Sequence, residues 1–454
     1  MKRKLLSVLL CIALLSTLLA GCKGKDNTGE QTAVNQPQSD SAGDTKNRDA
    51  TATDAAGKDD GSKSDKPAEI YMFISSPEYA DAINELIAAY KEVEPNVTVN
   101  YETTQNDYPT LLKAKLNSGE IPDIFSSTAG KEIGVYLDYT LDLSDQPLAA
   151  AMEDSVKSVM KANGDEVHGL SIKNNYFGIV YNKDILQKAG ITSFPQTFSD
   201  LEAACDKIKA AGFTPFTTGY AEWWVYKHVF QHFLNAAQPD DVEGLVNSFA
   251  AGEAKIKDYP ELYNDFFRFI DLTEKYGDQK PLETDLSAEE AALGSGQAAM
   301  AVGQGAWVEA DVLKIDPELQ IGFDGYPINE DASVCKVISG SDQALRINKD
   351  SAVLDEVLDF VNWWYTSDYG KSWFSDVAGV VPPIKDAVAP DFEIIKQGSE
   401  LVQKEGSGTL GIVYSTDSFQ QAFGEILQAY IAGSIDKDEA CSKIESKWVE
   451  LEGK

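Results

Sequence analysis

Basic residues and cysteines are the scarce members of this sequence. Against 73 Asp and Glu stand only 39 Lys and Arg, a formal net charge of −34. No local cluster of bases relieves that balance, and displacing counterions from a phosphate backbone needs concentrated positive charge, so nucleic acid is excluded as a partner. Cysteine occurs only at 11, 22, 205, 335 and 441, with no C-x-x-C or zinc-ligand spacing. Histidine occurs three times. Beyond residue 20 no apolar run approaches the length of a membrane span. With 43% hydrophobic and 10% aromatic residues in 454, the chain has material for two folded units and is too apolar for general disorder.

The first residues read as an export signal. Lys2, Arg3 and Lys4 precede an apolar run from Leu5 to Ala20, which is short for a span and right for a secretory signal peptide. Its exit, Leu19-Ala20-Gly21-Cys22, resembles the bacterial lipobox, which implies cleavage after residue 21 and lipidation of Cys22. Removal takes three bases and no acid, so the acidic excess belongs to the exported part. Lys23 to Ala68 has no aromatic residue and is rich in Asp, Thr, Gly, Ser and Ala; it cannot bury a core. As a flexible coil these residues span roughly 35–40 Å, the reach of a tether. With Cys11 cleaved and Cys22 lipidated, Cys205 and Cys441 in helical patterns and Cys335 in a strand-like run are expected as buried free thiols.

From about Glu69 strands and helices alternate. Ile70–Ile74 is continuously apolar, as in a strand buried on both faces. Ile83, Leu86, Ile87 and Tyr90 form an apolar stripe at helical spacing, and Pro95 closes that segment. Val97, Val99 and Tyr101 alternate as a strand; a helix through Leu111–Asn117 stops at Gly119; Asp123–Phe125 is strand-like again. This β-α-β-α-β order predicts a parallel sheet covered by helices, with ligands beyond the carboxyl ends of the strands, near Ser75, Ser76, Thr103, Thr104, Ser127 and Thr128. Later strand and helix patterns cover Phe177–Tyr181, Phe198–Ala211 (capped by Thr197 with Asp200, or Ser199 with Glu202), Pro260–Tyr276, Ala352–Tyr365 and Phe419–Ala432. No repeat of 20 to 50 residues is visible, which excludes solenoids and propellers.

Six landmarks occur in register: Pro122-Asp123-Ile124, the strand Gly178 to Asp184, Lys188-Ala189-Gly190-Ile191 with Pro195 to Phe198, Gly296 to Met300, Gly305-Ala306-Trp307, and the closing Ala432-Gly433, Glu439-Ala440 and Trp448. Together they resemble the family 1 extracellular solute-binding proteins over about residues 70–450. The resemblance implies an α/β fold of two lobes joined by more than one chain crossing, with a ligand cleft between them. By position the first lobe holds 69–172 plus 339–384 and the second 173–338 plus 385–454, after a signal peptide at 1–21 and a lipidated tether at 22–68. It further implies a monomer without enzymatic activity or cofactor, anchored outside the membrane of a Gram-positive bacterium. Such a protein captures a mono- or oligosaccharide by hinge closure and hands it to the permease of an ABC importer.

Sugars present apolar C–H faces and a rim of hydroxyls, so their sites need aromatic platforms flanked by donors and acceptors. Glu222-Trp223-Trp224 offers both, where maltose-binding relatives carry a sugar-contacting segment, although adjacent tryptophans can equally pack a core. Trp307 matches the family's stacking Trp and follows two glycines. Asn174, Asn175 and Tyr176 stand at an expected lobe crossing, and Ser341 and Asp342 in a Gly-containing turn. Ser75, Ser76 and Glu78 follow the first strand; Thr104, and beyond it Asp107-Tyr108, follow the second; Ser127 ends the third. Trp363, Trp364 and Trp373 lie among apolar residues in helical patterns and are expected in the core.

Rival chemistries lack parts. His228 and His232 have zinc-ligand spacing, but Val229 stands where a zinc protease needs its acid, so no metal is expected. Gly294 to Ala299 follows a helix where a dinucleotide fingerprint needs a strand. No G-x-S-x-G elbow or Walker loop occurs. A secreted hydrolase or lyase with paired carboxylates stays open, because 73 acids give many accidental pairs; so does a receptor that presents its ligand to a membrane sensor. The acidic excess tilts the expected sugar toward a neutral one.

Overall fold

The computed structural model describes residues 67–453; the signal, Cys22 and all but the last residues of the tether lie outside them. Among the described residues, no helix is long and apolar enough to cross a membrane.

The strands, in chain order, are β1 (Ala68–Ile74), β2 (Val97–Thr103), β3 (Ile124–Thr128), a small hairpin of β4 (Lys161–Ala162) and β5 (Glu166–Val167), then β6 (Asn175–Asn182), β7 (Thr214–Thr217), β8 (Ala298–Gly305), β9 (Ile321–Asp324), β10 (Ile338–Gly340) and β11 (Gln343–Ile347). They form two main sheets, one per lobe. The first has the order β11-β3-β1-β2, and the second β10-β6-β8-β7 with β9 also on β6.

In the first sheet β1 is parallel to both β2 and β3, with Ile70 opposite Val99 and Met72 opposite Ile124. The expected β-α-β-α-β unit is present. Ile70, Met72, Phe73 and Ile74 are all fully buried, which explains the unbroken apolar run. The helix Ala80–Val93 turns Ile83, Leu86 and Tyr90 inward, and Gly119, at φ 79°, ends Tyr108–Ser118 in the left-handed conformation that glycine adopts without strain. The helices Leu354–Thr366 and Asp368–Asp376 close this lobe. Trp364 and Trp373 are fully buried and meet edge to face at 5.0 Å, while the Trp373 indole donates to the Ala82 carbonyl at 2.8 Å; each such side chain contributes on the order of 1.5–3 kcal/mol by leaving water. Trp363 is only half-buried.

The second sheet is mixed: β7 runs parallel to β8, whereas β6 is antiparallel to β8, β9 and β10. Against it and each other pack the helices Trp223–Ala237, Glu393–Glu405, Asp417–Ile431 and Lys437–Glu452. Two local expectations are corrected and one open alternative is decided. Cys335 follows a single 3-10 turn, Ala332–Val334, and is not in a strand. The Pro260 segment begins as a π-turn, Glu261–Asp265, before the α-helix Phe266–Tyr276. Of the two caps considered for Phe198–Ala210, Thr197 serves, its hydroxyl accepting the Asp200 amide. Cys205, Cys335 and Cys441 are buried free thiols.

The chain passes between the sheets at neighbouring points. Leu170 still bridges to Leu345, Asn174 to Val381, and one residue later Asn175 pairs with Gly340 in the second sheet. Ser341 and Asp342 then carry the chain from β10 back to β11, which lies antiparallel to β3.

Candidate functional site

Where β1 and β3 end, their last residues face the first turns of the helix Trp223–Ala237 across an open space of about 750 Å³, including the part open to solvent. This is the position a parallel sheet reserves for a ligand. The first lobe supplies Ser75, Ser126, Ser127 and Thr128 from strand ends, with Glu78, Gln105 and Tyr108 beside them; the second supplies Trp223, Trp224, Lys227, His228 and Trp307. Asp342 and Gln343 line it from the crossing and Asp417 from the start of its helix. Glu78, Gln105 and Trp224 also border a wider outer space, faced by Glu222, Asp285, Glu290 and Asp311.

The aromatic groups are held firmly. Trp307 is 8% exposed; its indole donates to Gln304 Oε1 at 3.0 Å, and Phe177 meets its ring at 5.5 Å and 63°. Gly305 makes this fit possible, because a Cβ there would come within 2.4 Å of the Trp307 ring and 2.1 Å of the Tyr176 carbonyl. Trp224 donates its indole to Glu222 Oε2 at 3.2 Å. Trp223 is half-buried, with the Lys227 ammonium 5.3 Å from its ring centre.

The charges alternate. Lys173 Nζ lies 3.4 Å from Glu78 Oε1 and over the rings of Tyr79 and Trp307. Burial alone would depress its pKa, but Tyr79, Glu78 and Asp342 outweigh it and hold the ammonium above its ordinary value. Lys227 donates to Gln420 Oε1 at 2.6 Å, and burial lowers its pKa. Glu78 is raised, chiefly by burial. A wall of flat rings interleaved with ammonium donors, carboxylate and imidazole acceptors and serine hydroxyls can stack on an apolar face while bonding the hydroxyls at its edge.

Of the residues singled out in the sequence, Ser75, Glu78, Tyr108, Ser127, Thr128, Trp223, Trp224, Trp307 and Asp342 line this space together. Glu222 is on the outer space and orients Trp224. Ser76, fully buried, donates its hydroxyl to Gln343 Oε1 at 2.8 Å. Ser341 is buried too, its hydroxyl bonded to Ser171 Oγ at 2.5 Å and the Lys173 carbonyl at 2.9 Å. Asn175 reaches Asp342 Oδ1 from β6 at 3.3 Å, Asn174 accepts the Asn175 amide, and Tyr176 packs on Gly398. Thr104, at the end of β2, is partly exposed and off the lining. These polar groups at the crossing hold the frame, because their bonds are already made within the protein. Sequence reasoning missed Lys173, Lys227, Gln343 and Asp417 as lining residues and weighed His228 only as a metal ligand. Lys227 had a signal: it follows Trp223 by four residues and so shares its helix face.

Residues 85–401, well over half of the chain, match the bacterial extracellular solute-binding proteins. The chain belongs to that family. This solute-binding protein is 24% identical over 306 residues to the melibiose/raffinose/stachyose-binding protein MelE of Bacillus subtilis, covering 65% of this chain and 69% of MelE. To the multiple sugar-binding protein of Streptococcus mutans it is 24% identical over 335 residues, 71% and 77% of the two chains. A putative ABC transporter periplasmic-binding protein, YcjN of Escherichia coli, is 22% identical over 335 residues, 70% and 74%. Two solved structures share the fold: a sugar transporter of Bacillus licheniformis in complex with stachyose (TM-score 0.72, 18% identity, 84% of this chain and 100% of that one) and a chitin oligosaccharide binding protein (0.74, 19%, 85% and 99%). The family and these neighbours are binding proteins, as the landmarks in the sequence implied.

Proposed function

We propose that this solute-binding protein is the saccharide receptor of an ABC importer, lipidated at Cys22 and held off the membrane by residues 23–68. The observation that carries the reading is the pairing of Trp307 and Trp224 with Lys173, Glu78, Lys227 and Asp342 around one space between two sheets. Closure of the lobes about the neighbouring crossings at Asn174, Ser341–Asp342 and Val381 would complete contacts with both walls and shift the population to the closed form. The relatives named for sugar binding and for ABC transport support the ligand class and the partner.

A neutral ring suits the wall best. Lys173 is already matched by Glu78, and the outer space is bordered by Glu222, Asp285 and Asp311 against Lys314, a field that opposes an anionic ligand. A thermal-shift panel of raffinose, stachyose, melibiose and chitin oligosaccharides, followed by calorimetry, tests the ligand class, since a ligand of the native state raises apparent stability by mass action. One stoichiometric site with the sugar recovered intact is expected. Released cleavage product would instead establish a hydrolase or lyase, and no response to any saccharide would overturn the sugar reading. Labelling of growing cells with palmitate should mark the protein and fail to mark Cys22→Ser.

A further inference from the structure

The two histidines that have zinc-ligand spacing serve another purpose. Both lie on the buried face of Trp223–Ala237, and each has Nδ1 against a backbone carbonyl: His228 against Gly303 at 3.0 Å, His232 against Lys336 at 3.2 Å. A carbonyl only accepts, so Nδ1 carries the proton in both rings, and in the neutral ring Nε2 is then a lone-pair acceptor. Neutrality is secured for His228 chiefly by burial, then by the positive charge of Lys227, with Lys173 adding and Asp342 and the Gly303 bond opposing; its pKa falls to about 3.

The two Nε2 atoms have different surroundings. That of His232 is buried without a partner, its ring against Tyr326 at 4.2 Å. His228 instead lines the cleft, its ring centre 5.2 Å from Trp224 and 5.5 Å from Trp307. Nδ1 is committed to Gly303 and Phe177 meets the ring at 5.1 Å and 69°, which leaves Nε2 as the ring nitrogen that can bond whatever lies between the tryptophans.

We propose that His228 is a specificity-determining residue, a fixed hydrogen-bond acceptor whose Nε2 takes the O–H of a ring hydroxyl held between Trp224 and Trp307. It follows that a carboxylate, sulfate or ether oxygen at that position is rejected, because an acceptor facing a lone pair leaves both groups unpaired in a desolvated wall. This rests on the saccharide-receptor reading. Lys173 and Lys227 supply donors nearby, and His228 adds an uncharged acceptor beside the carboxylates of Glu78 and Asp342.

Nitrogen-15 labelling of the three histidines reads the tautomer directly, with H228N as the assignment control. In the free protein the His228 signals should show a protonated Nδ1 and an unprotonated Nε2 throughout pH 5 to 8; a protonated Nε2 overturns the proposal without any sugar present. On adding raffinose or stachyose, whichever calorimetry shows bound, the His228 Nε2 signal should move toward that of a hydrogen-bonded acceptor while His232 stays in place. The same sugar should bind H228N about three- to tenfold more weakly, the effect of one neutral hydrogen bond. An unmoved Nε2 with sugar bound refutes the acceptor role alone, whereas absence of binding by every saccharide of the panel refutes the receptor reading and the hydroxyl assignment with it. Should H228N not fold, the response of one non-titrating imidazole in the native protein still decides.

Discussion

Thr128 and Asp417, both on the lining of the cleft, join the two lobes. The Thr128 amide donates to one carboxylate oxygen of Asp417 at 3.2 Å and its hydroxyl to the other, while the Asp417 amide donates to Glu132 Oε2 at 3.0 Å. Thr128 ends β3 of the first sheet, and Asp417 opens a helix that packs on Trp223–Ala237 in the second lobe. Beside them Lys131 meets Glu452 at 2.6 Å, and Glu452 accepts the Thr416 amide. The lobes are therefore coupled by buried, charge-assisted bonds next to the lining itself.

Asp417→Ala should loosen this contact. Leaving the Thr128 amide and hydroxyl without their acceptor is expected to destabilise this arrangement of the lobes by about 1–3 kcal/mol. Small-angle scattering should show a larger radius of gyration, and calorimetry a weaker saccharide affinity. An unchanged radius with unchanged affinity would mean that the contact does not report on closure.

Trp307→Ala should weaken saccharide binding by about 1–3 kcal/mol, the contribution of a stacking platform. Because Trp307 is 8% exposed and also packs on Phe177, the variant should melt earlier as well. Trp307→Phe, which keeps a flat face but loses the bond to Gln304, should recover most of the affinity. Calorimetry on both variants, normalised to the folded fraction, separates the two effects.

Stability should fall as pH rises from about 6.5 to about 8, above the range in which His228 and His232 take up protons in the unfolded chain that the buried rings, with pKa near 3, refuse. Burial, followed by the Asp417 charge, raises the Glu132 carboxyl; burial raises Glu290 to about 8, with Asp311, Glu78 and Asp285 adding, and raises Asp324 to about 6. A carboxyl whose pKa is higher in the folded than in the unfolded state contributes stability that is complete below the unfolded value and is lost as pH climbs through the folded one. Melting temperatures across this range should therefore decline, and Glu290→Gln should flatten the upper part of the curve. A melting temperature that rises steadily to pH 8 would contradict the assignment.

The native body should not react with thiol reagents. Cys205, Cys335 and Cys441 are buried, and burial pushes all three thiols up, Cys441 to about 12, so little reactive thiolate forms at neutral pH. A colorimetric thiol assay should find these three only after unfolding, and reductant should leave the melting temperature unchanged.

Much of the frame was legible because it is written locally. The apolar run Ile70–Ile74, the stripe from Ile83 to Tyr90 and the glycine at 119 each express a rule that acts over a few residues. The aromatic half of the site was legible for a related reason: tryptophans beside glycines or carboxylates are costly to place idly. The polar half was not. Ser76 and Ser341 have the chemistry of ligand contacts, yet partners at Gln343 and Ser171 had already taken their hydroxyls. Lys173 and Lys227 look like ordinary surface lysines until the fold turns them inward.

What the sequence determined by itself is the order of strands and helices, the acidic excess, and the family landmarks, since hydrophobic spacing, composition and motif order need no partner to be read. Only the tertiary structure decided that β11 returns beside β3, so that the Gln343 amide donates to the Ser75 carbonyl at 2.9 Å, and that Asp417 meets Thr128 while His228 lies between Trp224 and Trp307. Apart from Trp224 and His228, four residues apart on one helix, those contacts join residues from about 80 to nearly 300 positions apart, where local patterning carries no information and packing of the two sheets alone selects the neighbours.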